Sequence, residues 1–162
     1  QITATDGTKP WRIDPFASRD GKPTDVPAAE LADFLEETDF DGPLVGAAAK
    51  GIVLEYAGPK VVPLRGVSTP VHAVNVRWPN GRTATVHLDA KSYREVLRTQ
   101  RRPAMGREVA MTITPSDYRV VQGVPVPYLV EIMPEGSPQP IRLQLDAVEF
   151  NVPIARARFR RP

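Results

Sequence analysis

The sequence predicts a mainly β protein of the α+β class, with a curved antiparallel sheet and one or two short helices over its concave face. From residue 52 onward, short stretches of alternating apolar and polar residues follow one another, with Gly, Pro or Asn turns between them. Helical periodicity is confined to residues 27–50. Because consecutive strands on short turns pair antiparallel, this order argues against a parallel sheet.

Composition bounds the class of protein further. The chain has 162 residues, of which 41% are hydrophobic and 25% charged, so we expect residues 1–162 to form a single domain with its own core. It contains 0 Cys, which excludes disulfides and thiolate catalysis. The longest apolar runs are too short to span a bilayer. The 18 prolines disfavour long helices and long central strands.

The N-terminal part of the chain predicts two short strands and two helical segments. Strands are expected within residues 2–5 and 9–16, with Trp11 and Ile13 on one side. Leu31, Phe34 and Leu35 have the i, i+3, i+4 spacing of a helix over 27–37. A smaller helical turn is expected over 44–50, ended by Gly51.

Nine strands are predicted after Gly51, over residues 52–56, 60–64, 70–78, 82–88, 93–101, 108–114, 117–121, 126–133 and 141–150. Part of the segment 93–101 also fits a helical turn. Asn80-Gly81 is the preferred pair for a type I′ turn and predicts a tight hairpin between the third and fourth of them. With that turn, His72 approaches Asp89, and His87 lies near Val74.

The two histidines are the first candidates for chemistry. His72, His87 and Asp89 suggest a metal or acid–base site, but three ligands make a sparse set, and half-exposed strand histidines are the preferred interpretation. No metal and no cofactor are predicted. The chain has no Gly-x-Ser-x-Gly elbow, no Ser-x-x-Lys motif and no Gly-rich phosphate loop. We therefore expect a protein that is not an enzyme.

Arginines form two clusters, one of Arg98, Arg101 and Arg102 and the other of Arg156, Arg158, Arg160 and Arg161. Anionic lipid headgroups or an acidic protein partner would suit them, and alternating arginines also fit the solvent face of a plain strand. Nucleic acid is not predicted, because the net charge is only +2 and few aromatic residues lie among the arginines.

Apolar residues alternate along most of the predicted strands and predict a hydrophobic surface on the sheet. With the helix, they give a candidate hydrophobic cavity lined by Phe34, Leu35, Val74, Val76, Trp78, Met111, Ile113, Leu129, Leu143 and Leu145. One interpretation is a packed core under the helix. The other is that a half-barrel with one helix stays incompletely filled, so that an acyl chain lies between sheet and helix.

Several short segments, in order along the chain, resemble the outer-membrane lipoprotein-sorting protein family, which is related to the periplasmic lipoprotein carrier LolA. They are Asp6-Gly7, Trp11-Arg12-Ile13, Asp39-Phe40-Asp41-Gly42-Pro43-Leu44, Lys50-Gly51, Leu88-Asp89-Ala90, Ser116-Asp117-Tyr118-Arg119 through Gly123-Val124-Pro125, Asn151-Val152-Pro153, Phe159 and Pro162. Their order and spacing cover almost the whole chain.

The resemblance implies a LolA-like half-barrel that binds acyl chains of lipoproteins or lipids for carriage in the bacterial cell envelope. It implies a periplasmic location, with a signal peptide outside this chain, and no catalytic residues. Family members have further strands and a helix before the position of Asp6-Gly7, so we expect the chain to be the C-terminal portion of such a domain. The exposed sheet edge left there would favour a homodimer. The alternative function is a non-catalytic interaction or envelope-sensor module that binds a protein through a sheet edge or the basic C-terminal tail.

Overall fold

The computed structural model describes residues 2–5, 9–14, 21–104 and 107–162. The chain forms two compact units, one made of Gln1–Gly42 with Asn151–Pro162 and the other of Pro43–Phe150. A domain can contain more than one compact unit, so the single domain over 1–162 stays a prediction. None of the described helices has the length and apolar character needed to span a bilayer.

The first unit contains a small antiparallel sheet in the order β1-β2-β3 and one α-helix. The elements are β1 (Ile2–Ala4), β2 (Trp11–Ile13), β3 (Thr24–Asp25) and α1 (Ala28–Glu37), followed at the C-terminus by a 3₁₀ helix (Arg156–Phe159). The two predicted strands are confirmed in their described parts, and residues 15–16 lie outside the described residues. The predicted helix is also confirmed, because α1 starts after Pro27 and Thr38 caps its end.

The C-terminal segment is bonded to the small sheet. The indole N–H of Trp11, a residue only 6% exposed, donates to the carbonyl oxygen of Phe159 at 2.9 Å. Arg161 donates to the Asp25 carboxylate at 2.8 Å and to the carbonyl oxygen of Pro23 at 2.6 Å. Residues from both ends of the sequence therefore build this unit together.

The second unit is an open seven-stranded sheet in which every strand pairs antiparallel with its neighbours in sequence. Its elements are a 3₁₀ helix (Ala47–Lys50), β4 (Val53–Leu64), β5 (Val67–Arg77), β6 (Thr83–Asp89), β7 (Glu95–Ala104), β8 (Arg107–Val121), β9 (Val124–Pro134) and β10 (Ile141–Gln144). β4 and β10 are its edges. The predicted α+β, mainly β class with an antiparallel meander is confirmed.

Several strands are longer than the sequence predicts. β4 continues through Gly58 and Pro59, where a turn was expected, because a β-bulge between Tyr56 and Gly58 takes up the irregularity. β8 runs for 15 residues across Pro115, although two strands were predicted. One proline removes a single N–H donor, and pairing with β9 continues on both sides of it. β10, by contrast, has only four residues of the predicted 141–150.

The predicted hairpin between β5 and β6 is confirmed, but its turn type is wrong. The N–H of Gly81 donates to the Trp78 carbonyl at 2.9 Å, so Pro79 and Asn80 are the central residues of the turn. A type I′ turn needs positive φ at both central residues, and Asn80 does not have it. The positive φ, +83°, belongs to Gly81, the last residue of the turn. The turn Trp78–Gly81, which ends on the left-handed Gly81, pairs Arg77 with Thr83, and this moves the register by one residue.

The core of this unit lies where the segment before β4 covers β5 and β6. Ala47 and Ile52 pack with Val76, Ala84 and Val86, and the last of these is fully buried. Leu44, Trp78 and Leu88 pack around that cluster. Gly51 has φ +67°, and a Cβ atom there would lie 3.1 Å from the ring of Pro79, so glycine is required where the 3₁₀ helix enters the sheet.

The seven-stranded sheet is bent. Arg65, in the turn between β4 and β5, donates to the Ser116 hydroxyl on β8 at 2.8 Å and to the Glu131 carboxylate on β9 at 3.1 Å. In a flat sheet, β5 and β9 would be about 19 Å apart, since four spacings of about 4.8 Å separate them. The β4–β5 hairpin therefore folds over the face that carries Ser116 and Glu131.

Candidate functional site

Cross-strand pairing sorts the side chains of the seven-stranded sheet onto two faces, because residues directly opposite each other share a face. Face A is defined by the row Tyr56, Val74, Val86, Arg98, Ile113, Ile132 and Ile141, in which each residue pairs with the next. Face B is defined by the neighbouring row Glu55, Asn75, Thr85, Thr99, Thr112 and Met133. The Arg65 contacts lie on face B.

The structure divides the predicted cavity residues between the two faces and the two units. Val74, Val76, Met111, Ile113 and Leu143 lie on face A. Leu145 continues that face beyond β10, since its N–H donates to the Tyr128 carbonyl at 2.9 Å. Leu129 pairs with Ser116 and therefore lies on face B. Phe34 and Leu35 belong to α1 of the first unit, where Phe34 is buried and Leu35 is 52% exposed.

Face A is covered at one end and open at the other. Val76 is 2% exposed and Trp78 packs against the same core cluster, so both are parts of a filled core. Val74, Met111 and Ile113 are half-buried. Leu143 is 51% exposed. The open part of face A thus runs from the centre of the sheet towards β10.

Three residues that are not among the predicted cavity residues belong to this open part. Val130, Ile132 and Ile141 share face A with Ile113 and Leu143. The sequence Leu129-Val130-Glu131-Ile132-Met133 has apolar residues at both alternations, so the pattern alone does not indicate which set faces which way. The only available signal was Glu131, which marks the opposite face.

Face B contains a groove of about 580 Å³ whose floor combines polar side chains with apolar surface. The floor is formed by two adjacent cross-strand rows. The first holds Glu55, Asn75, Thr85, Thr99 and Thr112, and the second holds Val53, Arg77, Thr83, Arg101 and Ala110. The Thr85 hydroxyl bonds the Asn75 side-chain oxygen at 3.1 Å. This groove therefore has polar side chains on its floor and lies on the face opposite the open part of face A.

The expected approach of His72 to Asp89 is wrong. His72 pairs with Leu88 on face A, whereas Asp89 pairs with Val71 on face B, because the hairpin turn shifts the register by one residue. Asp89 instead accepts bonds from the backbone and side chain of Ser92. These bonds lower the pKa of the Asp89 carboxyl. Among the described residues, no three His, Asp or Glu side chains are grouped as metal ligands.

His72 has aromatic partners in place of Asp89. Its Nδ1 atom lies 2.8 Å from the Tyr56 hydroxyl, and its ring stacks on Tyr93 with 5.6 Å between the centroids. Pairing places His87 opposite Ala73 on face B, one residue from the predicted Val74. Burial lowers the pKa of His87, and its Nδ1 atom has no hydrogen-bond partner. The two histidines thus lie on opposite faces.

The arginine cluster on β7 is also divided between the two faces of the sheet. Arg98 lies on face A and holds the Glu95 carboxylate through two bonds of 3.0 and 2.8 Å. Arg101 lies on face B in the groove, and Arg102 pairs with Val109 on face A. In the tail, Arg156, Arg158, Arg160 and Arg161 are all exposed, and Arg161 is bonded to Asp25.

One tyrosine near these arginines is fixed in its protonated form. The Tyr118 hydroxyl donates to the Glu95 carbonyl at 2.7 Å, and Arg94 stacks over its ring at 5.5 Å. Burial, with the nearby negative charge of Glu95, raises the pKa of Tyr118 to about 12. Tyr118 therefore acts as a half-buried hydrogen-bond donor at neutral pH.

Comparisons of the chain with protein-family models, with curated proteins and with solved structures give no match. The likeness to the lipoprotein-sorting family therefore rests on the sequence segments described above.

Proposed function

We propose that this protein is a non-enzymatic binding domain that holds an acyl chain of a lipid or lipoprotein for carriage in the bacterial cell envelope. The observation that carries the proposal is the open part of face A, an aliphatic surface formed by β8, β9 and β10. Ile113, Val130 and Ile132 are half-buried there, and Ile141 and Leu143 are more than half exposed. The sequence resemblance gives the periplasm as the proposed location.

The energetics of such a surface suit a ligand without a polar anchor. Burial of each methylene group of an acyl chain is worth about 0.8 kcal/mol, so a chain that covers several of these side chains gains affinity from length alone. Met111, next to Ile113 on the same face, adds a flexible side chain that adapts to irregular apolar shapes. The expected ligand is therefore a long saturated or unsaturated hydrocarbon chain.

The second candidate function is a protein-interaction or envelope-sensor module. The strand β10 favours it, because this edge has only four residues and all of them are exposed. An extended segment of a partner chain can pair with such an edge. A homodimer through β1, an edge of the small sheet with Ile2 56% exposed, belongs to the same class of proposal.

Binding of a fluorescent fatty acid to the purified protein tests the proposal. Leu143→Asp places a charge on the open part of face A, and Val120→Asp is the matched control, since Val120 is 66% exposed on β8 and pairs on face B. We expect Leu143→Asp to weaken binding about tenfold or more, the effect of a charge at an apolar contact. The control should bind like the wild type.

Native mass spectrometry of protein purified from cells separates the two candidates. Co-purifying lipid supports carriage. The interaction module becomes the better proposal if the protein carries no lipid, binds no fatty acid, and captures a protein partner that the Leu143→Asp variant does not bind. Equal effects of both aspartate variants would show that face A is not the binding surface.

A further inference from the structure

We propose that the groove on face B is a second binding site, for a small phosphorylated polyol such as a sugar phosphate or a phosphorylated polyol headgroup. This goes beyond the proposed acyl binding, because the groove and the open part of face A lie on opposite faces of the sheet. Two adjacent cross-strand rows of side chains form the floor of the groove.

The first row presents hydrogen-bonding groups at regular spacing. Asn75, Thr85, Thr99 and Thr112 lie side by side on four consecutive strands, about 4.8 Å apart. The Thr85 hydroxyl donates to the Asn75 amide oxygen, so Thr85 offers a ligand its lone pairs and Asn75 its amide N–H groups. The hydroxyls of Thr99 and Thr112 can both donate and accept. A molecule with several hydroxyl groups on one ring has a matching set of donors and acceptors.

The second row supplies positive charge beside these hydroxyls. Arg77 on β5 and Arg101 on β7 lie two residues further along their strands, about 7 Å from the first row. Among the residues that the structure describes, no ion pair involves Arg77, and Arg101 donates only to the Glu108 carbonyl, at 3.3 Å. Guanidinium groups bind phosphate oxygens through paired hydrogen bonds. Two strand spacings, about 10 Å, separate them, so both side chains can reach one phosphate group.

The remaining charge in the groove sets the orientation of the ligand. Glu55 on the edge strand β4 lies at the far end of the hydroxyl row, next to Asn75. Its carboxylate accepts hydrogen bonds and repels phosphate, so the phosphate lies over the arginine row and the hydroxyls extend towards Glu55. The volume of about 580 Å³ is in the range of small-molecule sites and exceeds what an inorganic ion needs.

Isothermal titration calorimetry of the full chain tests the site with myo-inositol 1-phosphate, and with inorganic phosphate and myo-inositol as comparison ligands. We expect inositol phosphate to bind more tightly than either comparison ligand. Arg77→Gln should weaken it about tenfold, as loss of a charge-assisted hydrogen bond does. Thr99→Val should weaken it about threefold with little change in shape.

Two matched variants check that these losses come from the groove. Arg158→Gln removes an exposed arginine of the C-terminal tail, and Thr114→Val removes a hydroxyl two residues from Thr112 on the same face of β8. Both should bind like the wild type. Thermal melts of all four variants should coincide with that of the wild type, since Arg77, Arg158 and Thr99 are exposed and Thr114 keeps its β-branched shape.

Vesicles with and without phosphatidylinositol then distinguish the two sources of the ligand. Binding both to free myo-inositol 1-phosphate and to the vesicles that contain phosphatidylinositol identifies a lipid headgroup as the ligand. Binding to free myo-inositol 1-phosphate alone identifies a soluble sugar phosphate. The proposal is overturned if inositol phosphate gives no heat at millimolar concentration, if inorganic phosphate binds equally well, or if Arg158→Gln weakens binding as much as Arg77→Gln. Loss of fatty-acid binding leaves these outcomes unchanged, so the two proposals fail separately.

Discussion

Arg65 and Glu131 form an ion pair of 3.1 Å although three strands lie between β5 and β9 in the sheet. Glu131 also accepts from Arg142 on the adjacent strand β10, at 2.9 Å. The same carboxylate thus has one partner that spans the bend of the sheet and one that does not. Substitution of each arginine in turn therefore distinguishes the contact that depends on the bend of the sheet from the contact between adjacent strands.

Arg65→Ala should loosen the β4–β5 hairpin, because it removes the contacts with Ser116 and Glu131 together. We expect faster hydrogen exchange of the backbone around the turn at residues 64–67 and a melting temperature lower by a few degrees at most, since exposed ion pairs stabilise weakly. Arg142→Ala is the control, and exchange around that turn should stay at its wild-type rate. Equal exchange in both variants would mean that Arg65 does not hold the hairpin.

Glu131 should make the stability of the protein depend on acid pH. The bonds from Arg65, and then from Arg142, hold the pKa of the Glu131 carboxyl below its ordinary value of 4.5. Its contribution is therefore fully present above about pH 4.5 and is lost as the pH falls through the folded pKa. Melting temperatures between about pH 3 and pH 7 should show a shallower acid slope for Glu131→Gln than for the wild type. Identical slopes would contradict this assignment.

His87 should add a dependence at higher pH. Burial lowers its pKa from the ordinary value of 6.5, as does the charge of Lys60, while a backbone bond with Leu97 raises it. The unfolded chain therefore takes up the proton first, so stability is greatest above about pH 6.5 and falls as the pH drops towards the folded pKa. A titration by NMR should place the His87 transition below 6.5, and His87→Gln should remove the slope in this window. A transition above that value would refute the buried, neutral imidazole.

Val86→Ala should destabilise the sheet unit by about 2 kcal/mol, because it leaves a cavity where a fully buried side chain packs against Val76 and Ile52. Val61→Ala on the edge strand β4 is the matched control. Val61 is 66% exposed, so its free energy of unfolding should stay within about 0.5 kcal/mol of the wild type. Urea unfolding measures both values, and a small effect at Val86 would show that the core is placed wrongly.

Local chemistry made the elements predictable from the sequence. The spacing of Leu31, Phe34 and Leu35 gave the helix Ala28–Glu37, and Gly51 gave the end of the 3₁₀ helix. Alternation and turn residues gave the strands of the meander. Each of these features depends on neighbours within a few residues, which the sequence contains in full.

The faces of the strands were not determined in the same way. A strand repeats every two residues, so a change of one residue in a turn or bulge exchanges its two sets of side chains. The left-handed Gly81 placed His72 and Asp89 on different faces of the sheet. Pairing with Ser116 placed Leu129 on face B, the face away from Val130. Such choices depend on partners far away in the chain.

The sequence by itself determined the class of the protein, the order of its elements and the absence of thiol chemistry. The sequence also predicted a curved sheet, and the tertiary structure alone decided that the bend brings Arg65 to Ser116 and Glu131. It also decided which aliphatic side chains form the open part of face A, while a groove with threonines, asparagine and arginines forms on face B. The physical reason is that propensity and turn chemistry act over a few residues, whereas cross-strand register sums every turn and bulge between two strands.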